Sequence, residues 1–404
     1  MSPMSDMSQI EGARLPSHLY LHVPFCASKC SYCDFNSISG ASDDIVRTVF
    51  TGMRTQLTTW SRSALDGVLD TVYVGGGTPS RYPEKVAEEL GHVRSSFVVH
   101  PNAEVTVEGN PDSLDAESVA LLSSAGATRI SVGVQSFDDS VLRLLGRRHD
   151  AAEAWAACRV VAGAGLDLSV DLICGVPGQT ITSWSETLER AASTGARHVS
   201  VYPLSIEDGT PLSVAVGGGL IDAPDPDAAA DMMLLASTVL GHHGLVRYEV
   251  ANYAKDREHE SVHNTAYWTG RPYIGVGPGA HGMLDAATAH AVGMLGMGRE
   301  DAARVRYGNA PDIDQWLVGK GDTLETLTAE EAAREDVMLG LRLVRGVPAE
   351  QVEGAGLTAV LESLRTEGLT ELSSPAAGGV PRWRTTERGW LLGNEVFGRV
   401  WTGE

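Results

Sequence analysis

Apolar runs with strand character recur along this chain at intervals of roughly 30 residues, with helical stretches between them, the spacing of strand–helix–strand units. The runs fall at Leu19–Val23, Thr71–Val74, Ala103–Val107, Arg129–Val134, Leu168–Ile173 and His198–Tyr202. Helical patterns occupy Asp44–Trp60, Glu84–Val93, Asp115–Ser124, Ala151–Ala164 and Ser183–Thr194. A strand that returns through a helix to a neighbouring strand implies right-handed crossovers and a parallel sheet. Such a sheet closes into a barrel or stays open, and in both cases ligands sit at the carboxyl ends of its strands. The chemically unusual segments agree, since Cys26–Cys33, Gly75–Pro79, Glu108–Pro111, Gln135–Phe137 and Cys174–Gln179 each come just after a strand. One rim of the sheet is therefore expected to be the working face.

Organisation changes after Ser205. Residues 207–228 are rich in Asp, Gly and Pro and read as a loop before a helix at about Ala229–His242. Residues 261–283 are dense in His, Asn, Tyr, Trp and Gly, and 284–303 read as a small, polar surface loop. From Thr328 two helical patterns lead through Gly368–Leu372 and Arg382–Thr386 to a last helix from Glu387, the order of a winged-helix module. The expected division is a polar tail over 1–16, a barrel over 17–255, a connecting region over 256–319 and a winged-helix-like domain over 320–404.

Charge narrows the partners. The chain has 31 Lys plus Arg against 52 Asp plus Glu, a net of −21, whereas nucleic acid and anionic lipid demand a basic face. Residues 320–404 alone carry 9 Lys plus Arg and 14 Asp plus Glu, so the wing is expected to pack or to bind a partner rather than read DNA. No run of 18 apolar residues predicts a membrane span, and Met1–Gly12 lacks the basic and apolar segments of a secretory signal. Five cysteines, three of them within Cys26–Cys33, do not make a dispersed, even-numbered disulfide framework. A reducing, cytoplasmic setting with thiols available for metal is the expectation.

Cys26, Cys30 and Cys33 form a C-x3-C-x2-C set straight after a strand. Three thiolates can hold three irons of a cubane cluster and leave the fourth open to a small chelating molecule. Zinc is the alternative, with His22 as the fourth ligand that a structural zinc site needs.

The string YLHVPFCASKCSYCDFNS at Tyr20–Ser37 resembles the radical S-adenosylmethionine (SAM) superfamily. More narrowly, it is similar to the branch of oxygen-independent coproporphyrinogen III oxidase and the HemW family of heme chaperones. The resemblance continues through GGGTPS at Gly75–Ser80, VEGNPD at Val107–Asp112, SVGVQSFDD at Ser131–Asp139, LGRRHD at Leu145–Asp150 and DLICGVPGQT at Asp171–Thr180. It ends in HNTAYW and GVGPGAHG between His263 and Gly282, so it covers almost the whole chain.

This resemblance implies an α/β fold, a partial (β/α)6 radical SAM barrel with a smaller C-terminal winged-helix-like α+β domain. It implies a [4Fe–4S] cluster on Cys26, Cys30 and Cys33, with Tyr20 and Tyr32 lining the cluster and SAM. Gly76, Gly77 and Thr78 would meet the methionyl amino group, while Glu108, Gln135, Arg147 and Asp171 fall at positions that hydrogen-bond SAM or, in the oxidase, a second SAM. From the residues alone, Arg147 reads equally as an exposed charge at a helix end, and Asp171 as a strand-end residue without a ligand. His263 in HNTAYW would be the axial ligand of heme, with His281 as the substitute; its other reading is a helix cap.

The resemblance implies a heme chaperone that passes heme to an acceptor protein, with peripheral contact to a membrane-bound acceptor allowed. A radical SAM enzyme, either the coproporphyrinogen oxidase or one acting on another substrate, is the alternative. The oxidase carries a fourth cysteine two residues after the third and a longer N-terminal segment. Here that position is Phe35 and only 19 residues precede Tyr20, so decarboxylation of coproporphyrinogen is not expected.

Overall fold

The computed structural model describes residues 13–63, 65–295, 301–373 and 379–404. Six parallel strands form its centre: β1 (His18–Val23), β2 (Val68–Gly76), β3 (Val98–Gly109), β4 (Arg129–Gln135), β5 (Asp167–Cys174) and β6 (His198–Pro203), paired in chain order. The crossover helices α1 (Asp43–Ser61), α2 (Pro83–Ser96), α3 (Ala116–Ser124), α4 (Ala151–Gly163) and α5 (Ile181–Ser193) separate them. In α1 the buried Val46, Val49, Phe50, Met53, Leu57 and Trp60 recur at helical spacing, which lays one apolar stripe on the sheet.

The strands alternate in a way that fully covered parallel strands commonly do not. Val105 and Val107, Ile130 and Val132, and Leu168 and Val170 are buried in the main core. The intervening Thr106 and Glu108, Ser131 and Gly133, and Ser169 and Asp171 line a central cavity. The helices therefore take one face of each strand, and a polar lumen takes the other.

Among the described residues the sheet stays open and runs to twelve strands. Beside β6 lies the antiparallel β7 (Asn252–Ala254), followed by the short edge strand Val246–Arg247. Beside β1 lies a seventh parallel strand, β8 (Tyr273–Val276). Beyond it the antiparallel β9 (His281–Asp285), β10 (Ala302–Gly308) and β11 (Thr323–Thr328) extend the sheet.

Two loop expectations need correction. Residues 207–228 include a helix at Pro211–Gly217, and the following helix, α6 (Pro226–His242), begins earlier than expected because Asp225 caps it and Pro226 opens it. Residues 284–303 are not simply a surface loop. Ala286–Ala291 is helical, capped by Asp285, and Thr288 and Ala289 are buried. Part of that segment, 296–300, lies outside the described residues, as does 1–12 of the expected tail.

Between β7 and β8 the HNTAYW segment is the helix α7 (Val262–Trp268). The C-terminal part has its own core, which includes Val337, Leu341, Val352, Leu361, Leu364, Trp383 and Phe397. It opens with α8 (Ala329–Gly340), and its small sheet pairs Arg382–Thr385 with Thr370–Ser373 and with Val347–Pro348. A buried ionic cluster joins it to the large sheet: Arg304 on β10 donates to Glu335 at 2.5 Å and to Asp336 at 2.7 Å.

Candidate functional site

A cavity of about 370 Å³ opens at the carboxyl ends of the central strands. Cys26, Cys30, Cys33, Tyr32, Gly76, Gly77, Thr78, Glu108, Gln135, Arg147 and Asp171 all line it. Residues spread over 146 positions of sequence, from Cys26 to Asp171, thus meet at one rim, because most of them lie in or just after the carboxyl halves of parallel strands; Arg147 comes from the loop after the short helix Asp139–Leu144. Tyr20 and His263 do not line the cavity and stand behind its wall.

The cysteines are half-buried and free of disulfides. Among the described residues no group of three or more His, Cys, Asp or Glu converges on a single metal ion. His22 is committed as well: its Nε2 meets the Asn36 carbonyl at 2.8 Å and its Nδ1 meets the Tyr20 hydroxyl at 2.9 Å. The donor set suits a polynuclear group with separated iron corners better than one tetrahedral zinc. Two thiols already receive hydrogen bonds, from Thr78 Oγ1 to Cys26 Sγ at 3.7 Å and from Arg147 Nη1 to Cys30 Sγ at 3.4 Å. Burial pushes the Cys33 thiol up from its ordinary value.

Arg147 is no exposed helix-end charge. Its Nη2 donates to Gly133 O at 2.6 Å and to Asn110 Oδ1 at 2.7 Å. Its buried Nε has no partner within the protein. Asn110 was not singled out individually from the sequence, although it lies inside VEGNPD; its Nδ2 donates to Thr78 Oγ1 at 3.0 Å and so ties the glycine turn to Arg147.

The opposite wall is acidic. Tyr73 donates its phenolic proton to Glu108 Oε1 at 2.8 Å, and Gly76 N–H donates to Oε2 at 2.9 Å. Withdrawal from water nevertheless pushes the Glu108 carboxyl up to about 7, and the Asp171 charge adds to this. Asp171 is raised by burial too, while Ser131 donates to both of its oxygens at 3.1 and 3.0 Å. Carboxylates of this kind can accept from an amino group or a ribose hydroxyl. Gln135, at φ +65°, is the one non-glycine in the left-handed region among the described residues, and local strain of this kind concentrates at ligand sites.

Gly76 is needed for the backbone itself: its φ of +111° disfavours a side chain, and a Cβ would come within 2.6 Å of the His22 ring. At Gly77 a Cβ would stand 2.6 Å from the Phe25 carbonyl oxygen. The turn needs its glycines to pass over His22 and Phe25.

His263 is 1% exposed. Its Nδ1 meets the Thr71 hydroxyl at 2.7 Å and its Nε2 meets the Tyr267 hydroxyl at 2.8 Å. In this arrangement neither ring nitrogen faces an open position for iron. Burial, with His18 nearby, depresses its pKa to about 3, so the ring is neutral. The helix cap is not His263 but Ser261, whose side chain accepts from Asn264 N–H at 3.2 Å. His281, the substitute, is exposed at the start of β9.

Comparison with known proteins agrees with this architecture. Residues 20–191 match the Radical SAM superfamily and residues 327–392 the HemN C-terminal domain. The heme chaperone HemW of Bacillus subtilis is 32% identical over 394 residues, covering 94% of this chain and 97% of its own. HemW of Mycobacterium tuberculosis is 34% identical over 394 residues, with 94% of each chain covered. The mitochondrial radical S-adenosyl methionine domain-containing protein 1 of Mus musculus is 40% identical over 282 residues, 67% of this chain but only 62% of its own length. Among solved structures, coproporphyrinogen III oxidase (HemN) from Escherichia coli superposes with a TM-score of 0.74 over 96% of this chain and 91% of its own, at 21% identity; it shares the fold. With two HemW proteins alike over nearly the whole chain and the cysteine rim at the strand ends, the chain belongs to the HemW family within the radical SAM superfamily.

Proposed function

We propose that this protein is a cytoplasmic heme chaperone that binds heme and hands it to an acceptor protein. In this reading Cys26, Cys30 and Cys33 hold a [4Fe–4S] cluster. Gly76, Gly77, Thr78, Glu108, Gln135, Arg147 and Asp171 would hold SAM beside the cluster, with Tyr32 lining the same cavity and Tyr20 behind its wall. When bound, the cluster and SAM together supply one-electron chemistry on the sulfonium. The chain's own part is to fix the cysteines through Thr78 and Arg147 and to present acceptors at Glu108 and Asp171.

Heme ligation is assigned to a histidine, since imidazole is the common protein donor to heme iron. His263 reaches iron only after Thr71 and Tyr267 release it; His281 needs no such opening. The acceptor is a protein without a nucleic-acid character, and no described helix is long and apolar enough to cross a membrane.

The observation that carries the chaperone reading over the oxidase is Phe35. It is 58% exposed at the rim of the cavity, at the position where the oxidase pattern has its fourth cysteine. The test is anaerobic reconstitution followed by heme titration and a coproporphyrinogen III assay on the same sample. Iron and sulfide bound, a Soret band that saturates and no porphyrinogen decarboxylation are expected. Replacing Cys26, Cys30 and Cys33 together by Ala should abolish the iron and sulfide. Decarboxylated product, or zinc in place of iron, overturns the assignment.

A further inference from the structure

Helix α7 joins the floor of the lumen to the C-terminal domain. Its first turn rests on one carboxylate: Ser261 Oγ, Val262 N–H and His263 N–H donate to Glu104 at 3.3, 3.0 and 3.1 Å. Glu104 precedes Glu108 on β3 by four residues and is paired with Arg129 at 2.9 Å. At the other end the Trp268 indole N–H donates to Glu249 Oε2 at 2.7 Å. The Arg342 guanidinium, from the C-terminal domain, lies 5.2 Å from the Trp268 ring centroid.

Between these anchors the His263 ring stacks on Tyr73, with centroids 5.0 Å apart and planes 27° apart. Tyr73 is the phenol that donates to Glu108. The two hydrogen bonds of His263, to Thr71 and Tyr267, fix the ring in rotation, so the face it turns to Tyr73 is set. Tyr20 closes a triangle of rings, 6.0 Å from Tyr73 and 6.5 Å from His263.

We propose that His263 is a positioning residue for SAM: it holds Tyr73, and through the Tyr73 hydroxyl it holds Glu108, in the orientation that receives the ligand. The HNTAYW helix is then a strut that ties the ligand carboxylate to the C-terminal domain. This inference rests on the reading of the cavity as a SAM site.

The test uses the reconstituted full chain and equilibrium dialysis against labelled SAM, with iron content checked for every variant. His263→Ala is expected to weaken SAM about tenfold, the scale of one lost hydrogen bond to a charged group. His263→Phe refills the space on Tyr73 but has no nitrogen to bond Thr71 or Tyr267, so it is expected to recover only part of that loss; full recovery, the pattern of simple space filling, overturns the proposal. Should His263→Ala fail to hold the cluster, Tyr73→Phe decides, because it keeps the stack and deletes only the hydroxyl; the same loss of SAM affinity is expected. Unchanged SAM affinity in His263→Ala, or in Tyr73→Phe where that variant decides, overturns the proposal. So does heme binding lost with SAM binding untouched in both His263 variants, the pattern of a heme ligand. Native protein that holds iron but takes up no SAM overturns the SAM reading, and the positioning role with it.

Discussion

Glu108 shows what a single residue contributes at the cost of stability. Its carboxyl titrates at about 7 in the folded protein against an ordinary 4.5. A raised acid binds its proton more tightly folded than unfolded, so stability is largest below the unfolded value and declines as pH rises through the folded one. Glu108→Gln keeps the shape, and its amide can still accept from Gly76 and donate to the Tyr73 oxygen. The variant is therefore expected to be more stable than the parent by roughly 1–3 kcal/mol at pH 8 and nearly equal to it at pH 4.5. Urea unfolding at the two pH values reads this difference. Its residue type and place were legible in VEGNPD; the partners that tune it were not, because Tyr73 belongs to no motif and meets Glu108 only through the pairing of β2 with β3.

At the level of elements, a motif residue can serve the helix rather than the site. Asp150, the last residue of LGRRHD, accepts from Ala152 and Glu153 N–H at 2.9 and 2.8 Å, and Glu153 returns a bond to the Asp150 N–H. This reciprocal box opens α4. Asp150→Ala is expected to cost about 1 kcal/mol, the usual worth of an N-cap, while iron content after reconstitution stays at the parental value. Denaturation midpoints and iron analysis on the same preparation check both halves. Arg147, three residues earlier, lies in the loop after the short helix Asp139–Leu144 and lines the cavity. Sequence spacing alone did not separate these two roles, since both are polar residues near a helix end.

Across the whole molecule the buried histidines set the response to acid. His18, His22, His198 and His263 are all held below their ordinary pKa by burial, and His149 is lowered to about 4. Below pH 6.5 the unfolded chain takes up protons that the folded chain refuses, so stability falls as pH falls. Each histidine that stays neutral contributes roughly 1.4 kcal/mol per pH unit in that window. The protein is expected to lose cooperative stability between pH 6.5 and pH 5, before most carboxylates are titrated. Thermal unfolding across that range measures it, and a flat midpoint would contradict the histidine account. The acidic surface works in the opposite sense, because protonation relieves the repulsion of a net charge of −21.

Local pattern was enough for the parallel α/β class, the six central strands and the cysteine loop, because periodicity, caps and spacing are properties of neighbouring residues. It was also enough to bring Gly76, Glu108 and Gln135 to one rim, since each lies at or next to the end of a strand and parallel strands share their carboxyl ends; Arg147 and Asp171 came only from the family resemblance. The extension to twelve strands, the helix at Ala286–Ala291 and the turn of His263 into the interior were decided by tertiary structure. Each depends on a partner far along the chain: β8 on β1, Thr288 on Arg14 at 3.0 Å, and His263 on Thr71 at 2.7 Å. A histidine's motif gives its identity, but only the packed neighbours decide whether its nitrogens are spent inside the protein or left for a ligand.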